Sequence, residues 1–185
     1  MEKPQIREIA EKAGLPVAEK GDSQEICFVP NDDYIAYLSS LGITSPKGNF
    51  VDVDGNILGT HNGIINYTIG QRKGLGAFGK PMFVTGISAE TNTVTIGENG
   101  SQYSRALIAD RINIIAFEKL DAPIRADVKI RFRANPDPAL ITPNPDGTVT
   151  VVFDEPQRSV TPGQSAVFYD GDIVLGGGRI VASQR

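Results

Sequence analysis

Thr148-Val149-Thr150-Val151-Val152-Phe153 decides the fold class, read with Pro145-Asp146-Gly147 before it and Ser165-Ala166-Val167-Phe168-Tyr169, Asp170-Gly171 and Ile173-Val174-Leu175 after it. Alternate side chains of an extended chain share a face, so Val149, Val151 and Phe153 line one side of a strand. The Asp-Gly pairs supply turns, because glycine takes positive φ at no steric cost. Moving outward, residues 126–133 also alternate, and residues 81–88 and 93–97 form a second pair joined through Ala89-Glu90-Thr91-Asn92. Phe50-Val51-Asp52-Val53 turns at Asp54-Gly55 into Asn56-Ile57-Leu58, a hairpin with a type I′ signal. Short strands at this spacing predict a mainly β chain with a small closed barrel at its C-terminal end. Two short helices precede them. The first covers residues 4–13, with Ile6, Ile9, Ala10 and Ala13 as one apolar stripe. The second covers residues 32–41, with Asn31 as its cap and Tyr34, Ile35, Leu38 and Leu41 as its buried face.

The chain has 185 residues, 18 basic and 22 acidic, for a net charge of −4. Bulk charge therefore does not hold it on nucleic acid or membrane, but the charges are unevenly placed. Residues 55–89 contain no acid and three cations, Arg72, Lys73 and Lys80, while residues 103–133 carry seven bases against four acids. Two local basic surfaces are thus available in an acidic protein. No apolar run reaches the ~20 residues that span a bilayer, and the N-terminus lacks a signal peptide's apolar stretch. One Cys and one His exclude a disulfide framework and leave no metal site in prospect, so the expected compartment is the cytoplasm. A soft domain boundary falls near residues 98–104.

The candidate chemistry is sparse. Gly74-Leu75-Gly76-Ala77-Phe78-Gly79 fits G-x-G-x-x-G, yet a strand-like Met82-Phe83-Val84 follows where the dinucleotide mechanism needs a helix. It reads as a flexible loop beside Gln71-Arg72-Lys73, whose cations and amide suit either a solvated turn or an RNA phosphate. His61 reads as a hydrogen-bonded loop residue. Cys27, in Ile26-Cys27-Phe28-Val29, reads on the residues alone as a buried structural thiol, since Asp22 and Glu25 disfavour a thiolate. Arg131-Phe132-Arg133 reads as a strand with both guanidiniums on one face, placed either to grip RNA or to cover a core Phe.

Several longer strings resemble the C-terminal half of the tRNA-specific 2-thiouridylases. They are Asp22-Ser23-Gln24-Glu25-Ile26-Cys27-Phe28-Val29, Gly59-Thr60-His61-Asn62-Gly63, Tyr67-Thr68-Ile69-Gly70-Gln71-Arg72-Lys73-Gly74-Leu75, Asp154-Glu155-Pro156, Val160-Thr161-Pro162-Gly163-Gln164-Ser165-Ala166-Val167-Phe168-Tyr169 and Leu175-Gly176-Gly177-Gly178. The resemblance implies an enzyme that replaces the C2 oxygen of the anticodon wobble uridine with sulfur. ATP with magnesium, bound by an N-terminal half, adenylates that oxygen. A persulfide on Cys27, charged by a sulfur-donor protein, then supplies the sulfur with help from a second cysteine. The resemblance further implies tRNA contacts at Arg131, Phe132 and Gln164, with Gln71, Arg72 and Lys73 as further RNA-binding candidates, and no DNA or membrane partner. Residues 1–30 would be a remnant of the ATP-pyrophosphatase domain with the catalytic-cysteine loop. Residues 31–102 would form a small mixed central domain, and residues 103–185 a six-stranded β-barrel like domain 2 of elongation factors. The ATP loop and second cysteine of that family are absent from this sequence, so the chain alone is expected to bind no ATP and to thiolate nothing. The rival expectation is a free-standing RNA-binding or translation-factor-like barrel module without catalysis.

Overall fold

The computed structural model describes residues 2–16, 18, 28, 29, 31, 33–132 and 134–184. The chain divides into two compact units, residues 1–44 and 45–185. In the first, α1 (Lys3–Lys12) starts with Pro in its first turn, and Gln5 Oε1 accepts the Glu2 N–H at 2.8 Å. α2 (Tyr34–Ser40) is capped by Asp33, whose Oδ1 accepts the Ala36 N–H at 2.9 Å. The expected cap, Asn31, lies too far upstream to reach this first turn. Neither helix buries a residue fully, and Tyr34 and Leu41 stand exposed where a buried face was expected. Helices this short leave most of their apolar stripe open unless a second layer covers it. No helix among the described residues is long and apolar enough to cross a membrane.

The second unit begins with a four-stranded sheet. Its strands are β1 (Gly48–Val51), β2 (Ile57–His61), β3 (Met82–Ser88) and β4 (Thr93–Glu98), in the order β2-β1-β4-β3. β1 and β4 run parallel and the other pairs antiparallel, so the sheet is mixed. Phe50, Leu75, Met82, Val84, Val94 and Ile96 form its core, with Phe50 packed edge-on against His61, Tyr67 and Phe78. The β1–β2 connection is wider than a type I′ turn. Asp52 accepts hydrogen bonds from the backbone N–H of Asp54 and Asn56 and from Asn56 Nδ2 at 2.8–2.9 Å. Of the Asp54-Gly55 pair, only Gly55 takes positive φ. The Asx-type side-chain bonds won over the two-residue turn.

Six further strands close into an antiparallel barrel: β5 (Tyr103–Ile114), β6 (Ile124–Lys129), β7 (Asp137–Pro143), β8 (Val149–Arg158), β9 (Ser165–Asp170) and β10 (Ile173–Gln184). The order around the barrel is β10-β5-β8-β7-β6-β9. Val149, Val151 and Phe153 point inward as their alternation requires, meeting Leu107, Ile141, Phe168 and Ile180. Complete burial of such a side chain contributes about 1.5–3 kcal/mol. Arg131 and Phe132 are not in a strand. β6 pairs with β7 from Ile124↔Ile141 to Val128↔Asp137, so the chain must reverse between Lys129 and Asp137. Phe132 is accordingly 93% exposed and is no core residue.

Candidate functional site

The segment from Tyr67 to Lys73 runs beside β3. Gly70 N–H donates to the Val84 carbonyl at 2.7 Å, and Val84 N–H donates to the Gln71 carbonyl at 2.9 Å. Gln71 closes the loop on itself, since its Oε1 accepts the Thr68 N–H and its Nε2 donates to the Lys73 carbonyl, both at 2.9 Å. Gly70 has φ +87°, and a Cβ there would lie 2.1 Å from Ser159 Oγ in the segment after β8. Ser159 is buried, sits in the left-handed region at φ +54°, and donates its N–H to the Gln102 carbonyl at 2.8 Å. Sheet and barrel therefore meet backbone to backbone at Gly70 and Ser159.

Beside this junction lies a cleft of about 610 Å³. Thr68 and Ile69 line it from the sheet, Arg131 and Ala134 from the β6–β7 connection, and Arg158, Ser159, Thr161 and Gln164 from the end of β8 and the loop that follows. The β6–β7 loop is held by the Ala134 N–H, which donates to the Arg131 carbonyl at 3.2 Å. Arg131 Nη2 donates to the Arg158 carbonyl at 2.8 Å, which fixes one edge of the guanidinium and leaves its other N–H groups free of internal partners. Gln164 is set by its backbone: its N–H donates to Thr161, and its carbonyl accepts the Ile180 N–H at 2.8 Å. Its side chain is exposed. The lining carries two guanidiniums and no carboxylate, so the cleft suits an anionic ligand. One residue on from Arg131, the exposed Phe132 ring has Lys129 Nζ 6.0 Å from its centroid.

The structure thus brings Arg131 and Gln164 together, although they stand far apart in the sequence. It leaves other candidates elsewhere. Arg72 lines a separate shallow groove with residues 75–82, and Lys73 is exposed at the loop tip. The Gln71 amide is engaged within its own loop. Cys27 and Arg133 lie outside the described residues. The glycine-rich 74–79 loop runs directly into β3, so no helix N-terminus faces it and the described residues do not fit ATP. Sequence reasoning missed Ile69 and Arg158 as lining residues. Their only sequence signal was their position in or beside two of the family-like strings.

Residues 104–180 match the family described as "Aminomethyltransferase beta-barrel domain". Residues 36–98 match "tRNA methyl transferase PRC-barrel domain", and residues 1–31 match "tRNA methyl transferase HUP domain". Over 180 residues the chain is 56% identical to the tRNA-specific 2-thiouridylase of Acetivibrio thermocellus, covering 96% of this chain and 50% of that protein. It is 50% identical over 184 residues to the tRNA-specific 2-thiouridylase of Clostridioides difficile, covering 98% of this chain and 51% of the relative. The chain spans about half the length of the curated relatives it matches.

Proposed function

Since the chain belongs to the tRNA-specific 2-thiouridylase family, we propose that it forms the tRNA-holding half of a sulfurtransferase that converts the anticodon wobble uridine to 2-thiouridine. The observation that carries this reading is the acid-free cleft in which Arg131 and Gln164 meet. Arg131, positioned by the Arg158 carbonyl, holds backbone phosphate through its remaining donors. Gln164 offers both a donor and an acceptor to a base edge. Phe132, fully offered to solvent, is a stacking surface for an unpaired base. Arg72 and Lys73 add charge on the loop beside β3. Cys27 carries the persulfide sulfur, delivered by a donor protein, and residues 1–30 belong to the domain that uses ATP. Residues 31–102 and 103–185 form the central and barrel domains.

Two measurements test this. Binding of tRNA to wild type and Arg131→Ala is followed as salt is raised. Affinity should fall linearly on a log–log plot, and the variant should bind several-fold more weakly with its slope reduced by about one. Absence of binding at low salt removes the reading. In the full-length enzyme, Cys27→Ala should abolish 2-thiouridine formation while tRNA affinity is kept. Unchanged thiolation would leave only an RNA-binding module.

A further inference from the structure

We infer that the cleft between Ile69 and Arg158 receives one unstacked nucleotide of the tRNA, and that Arg158 clasps its phosphate. This rests on the tRNA-holding role proposed above and assigns the cleft a ligand of definite shape. A volume of about 610 Å³ is within the range of small-molecule sites, enough for a base with its ribose and phosphate but not for a duplex. The lining is mainly apolar, with Ile69, Ala134 and the methyl groups of Thr68 and Thr161 among its contributors. A site built for phosphate alone would be polar. An apolar cleft with cations is what a base face joined to a phosphate requires.

The charges agree with that division. In the barrel, Arg125 is paired with Asp154, Arg179 with Asp110 and Lys119 with Asp121. Arg158 has no carboxylate partner among the described residues, although it is exposed and lines the cleft. Its own carbonyl anchors Arg131, so the two guanidiniums are tied to one point of the backbone. A phosphodiester there meets two cations at a fixed spacing, a bidentate clasp that one lysine would not reproduce. The Gln164 side chain, on the same cleft, makes no internal hydrogen bond and can address the base edge.

The experiment compares the full chain, as wild type, Arg158→Ala, Arg158→Lys and Arg131→Ala, on two RNA probes: a tRNA anticodon stem–loop and a blunt duplex of equal length. Thermal melting of each variant is recorded alongside. Wild type should favour the stem–loop by about tenfold or more. Arg158→Ala should lose about five- to tenfold on the stem–loop and reduce the salt slope by about one, with duplex binding nearly unchanged. Arg158→Lys should restore the slope but not the whole affinity. Equal affinity for the two probes, or an Arg158→Ala protein that binds as wild type does, overturns the inference. If Arg131→Ala weakens binding and Arg158→Ala does not, only this inference falls. If wild type binds neither probe, the tRNA-holding reading falls with it.

Discussion

His61 shows how much one side chain can hold. Its Nδ1 accepts the Gly63 N–H at 3.0 Å, so the ring proton sits on Nε2, which donates to the Asn92 carbonyl at 3.2 Å. The end of β2 is thereby tied to the β3–β4 turn, while the ring packs against Phe50 and Tyr67 at 5.6 Å between centroids. The imidazole is 1% exposed. His61→Ala removes that packing and leaves the Gly63 N–H without its acceptor. The expected loss is about 2–4 kcal/mol, which in a chain of this size lowers Tm by roughly 5–15 °C. Thermal denaturation reads this directly, and a shift under 2 °C would contradict the role assigned to the ring. From the sequence, His61 is legible as a hydrogen-bonded residue. Its burial is not, because both bonding partners and both ring neighbours depend on strand pairing.

At the scale of the element, strands with clean alternation are legible and strands with bulges are not. Val149, Val151 and Phe153 announce β8, and the Asp-Gly pair announces the β9–β10 hairpin. β5 has no simple alternation in the sequence, since register shifts against β8 and β10 break it, and Arg111 takes positive φ at +49°. β7 opens on Asp137-Pro138, residues that usually mark a turn. The same seam between β5 and β10 carries a pH prediction. Arg179 donates to Asp110 through Nε at 3.0 Å and Nη2 at 2.5 Å, and this hydrogen bonding, chiefly, holds the Asp110 carboxyl below its usual range. Arg125 does the same for Asp154 on the next seam. A carboxylate whose folded pKa is depressed contributes stability that is fully present above the unfolded pKa of ~3.9 and is lost as pH falls through the folded value. Melting temperature should therefore be insensitive to these pairs from neutrality to about pH 5 and should drop below about pH 4. Asp110→Asn should make that acid drop shallower. An equally steep drop would show that the pair does not contribute. Both pairs are partly exposed, so the effect should also shrink at high salt.

The whole second unit depends on how the sheet reaches the barrel, and so does the cleft. No local pattern could join Ile69 to Arg131, Arg158 and Gln164, because they come from three separate connections that only the closed barrel assembles. The residues of the family-like strings at 67–75 and 160–169 are individually unremarkable turn and loop types. Their contact is what makes them a site. That contact is set at Gly70, where a Cβ would overlap Ser159 Oγ and where φ is +87°. Gly70→Ala imposes both the overlap and the left-handed backbone on a residue with a side chain, for an expected cost of about 2–4 kcal/mol. Ser159→Gly should be close to neutral, since glycine accepts φ +54° and no hydrogen bond to Ser159 Oγ is lost. Combined, the two changes should be less harmful than their sum, by about 1–3 kcal/mol, because the second removes the atom that the first collides with. Part of the loss should persist, since the strained φ at residue 70 remains. Thermal melts of the four proteins give this coupling energy. Additivity within about 0.5 kcal/mol would mean that sheet and barrel are not held together at this contact. A measured coupling would make Gly70 the residue that fixes the cleft's width, and tRNA affinity should then fall in Gly70→Ala and recover in part in the double variant.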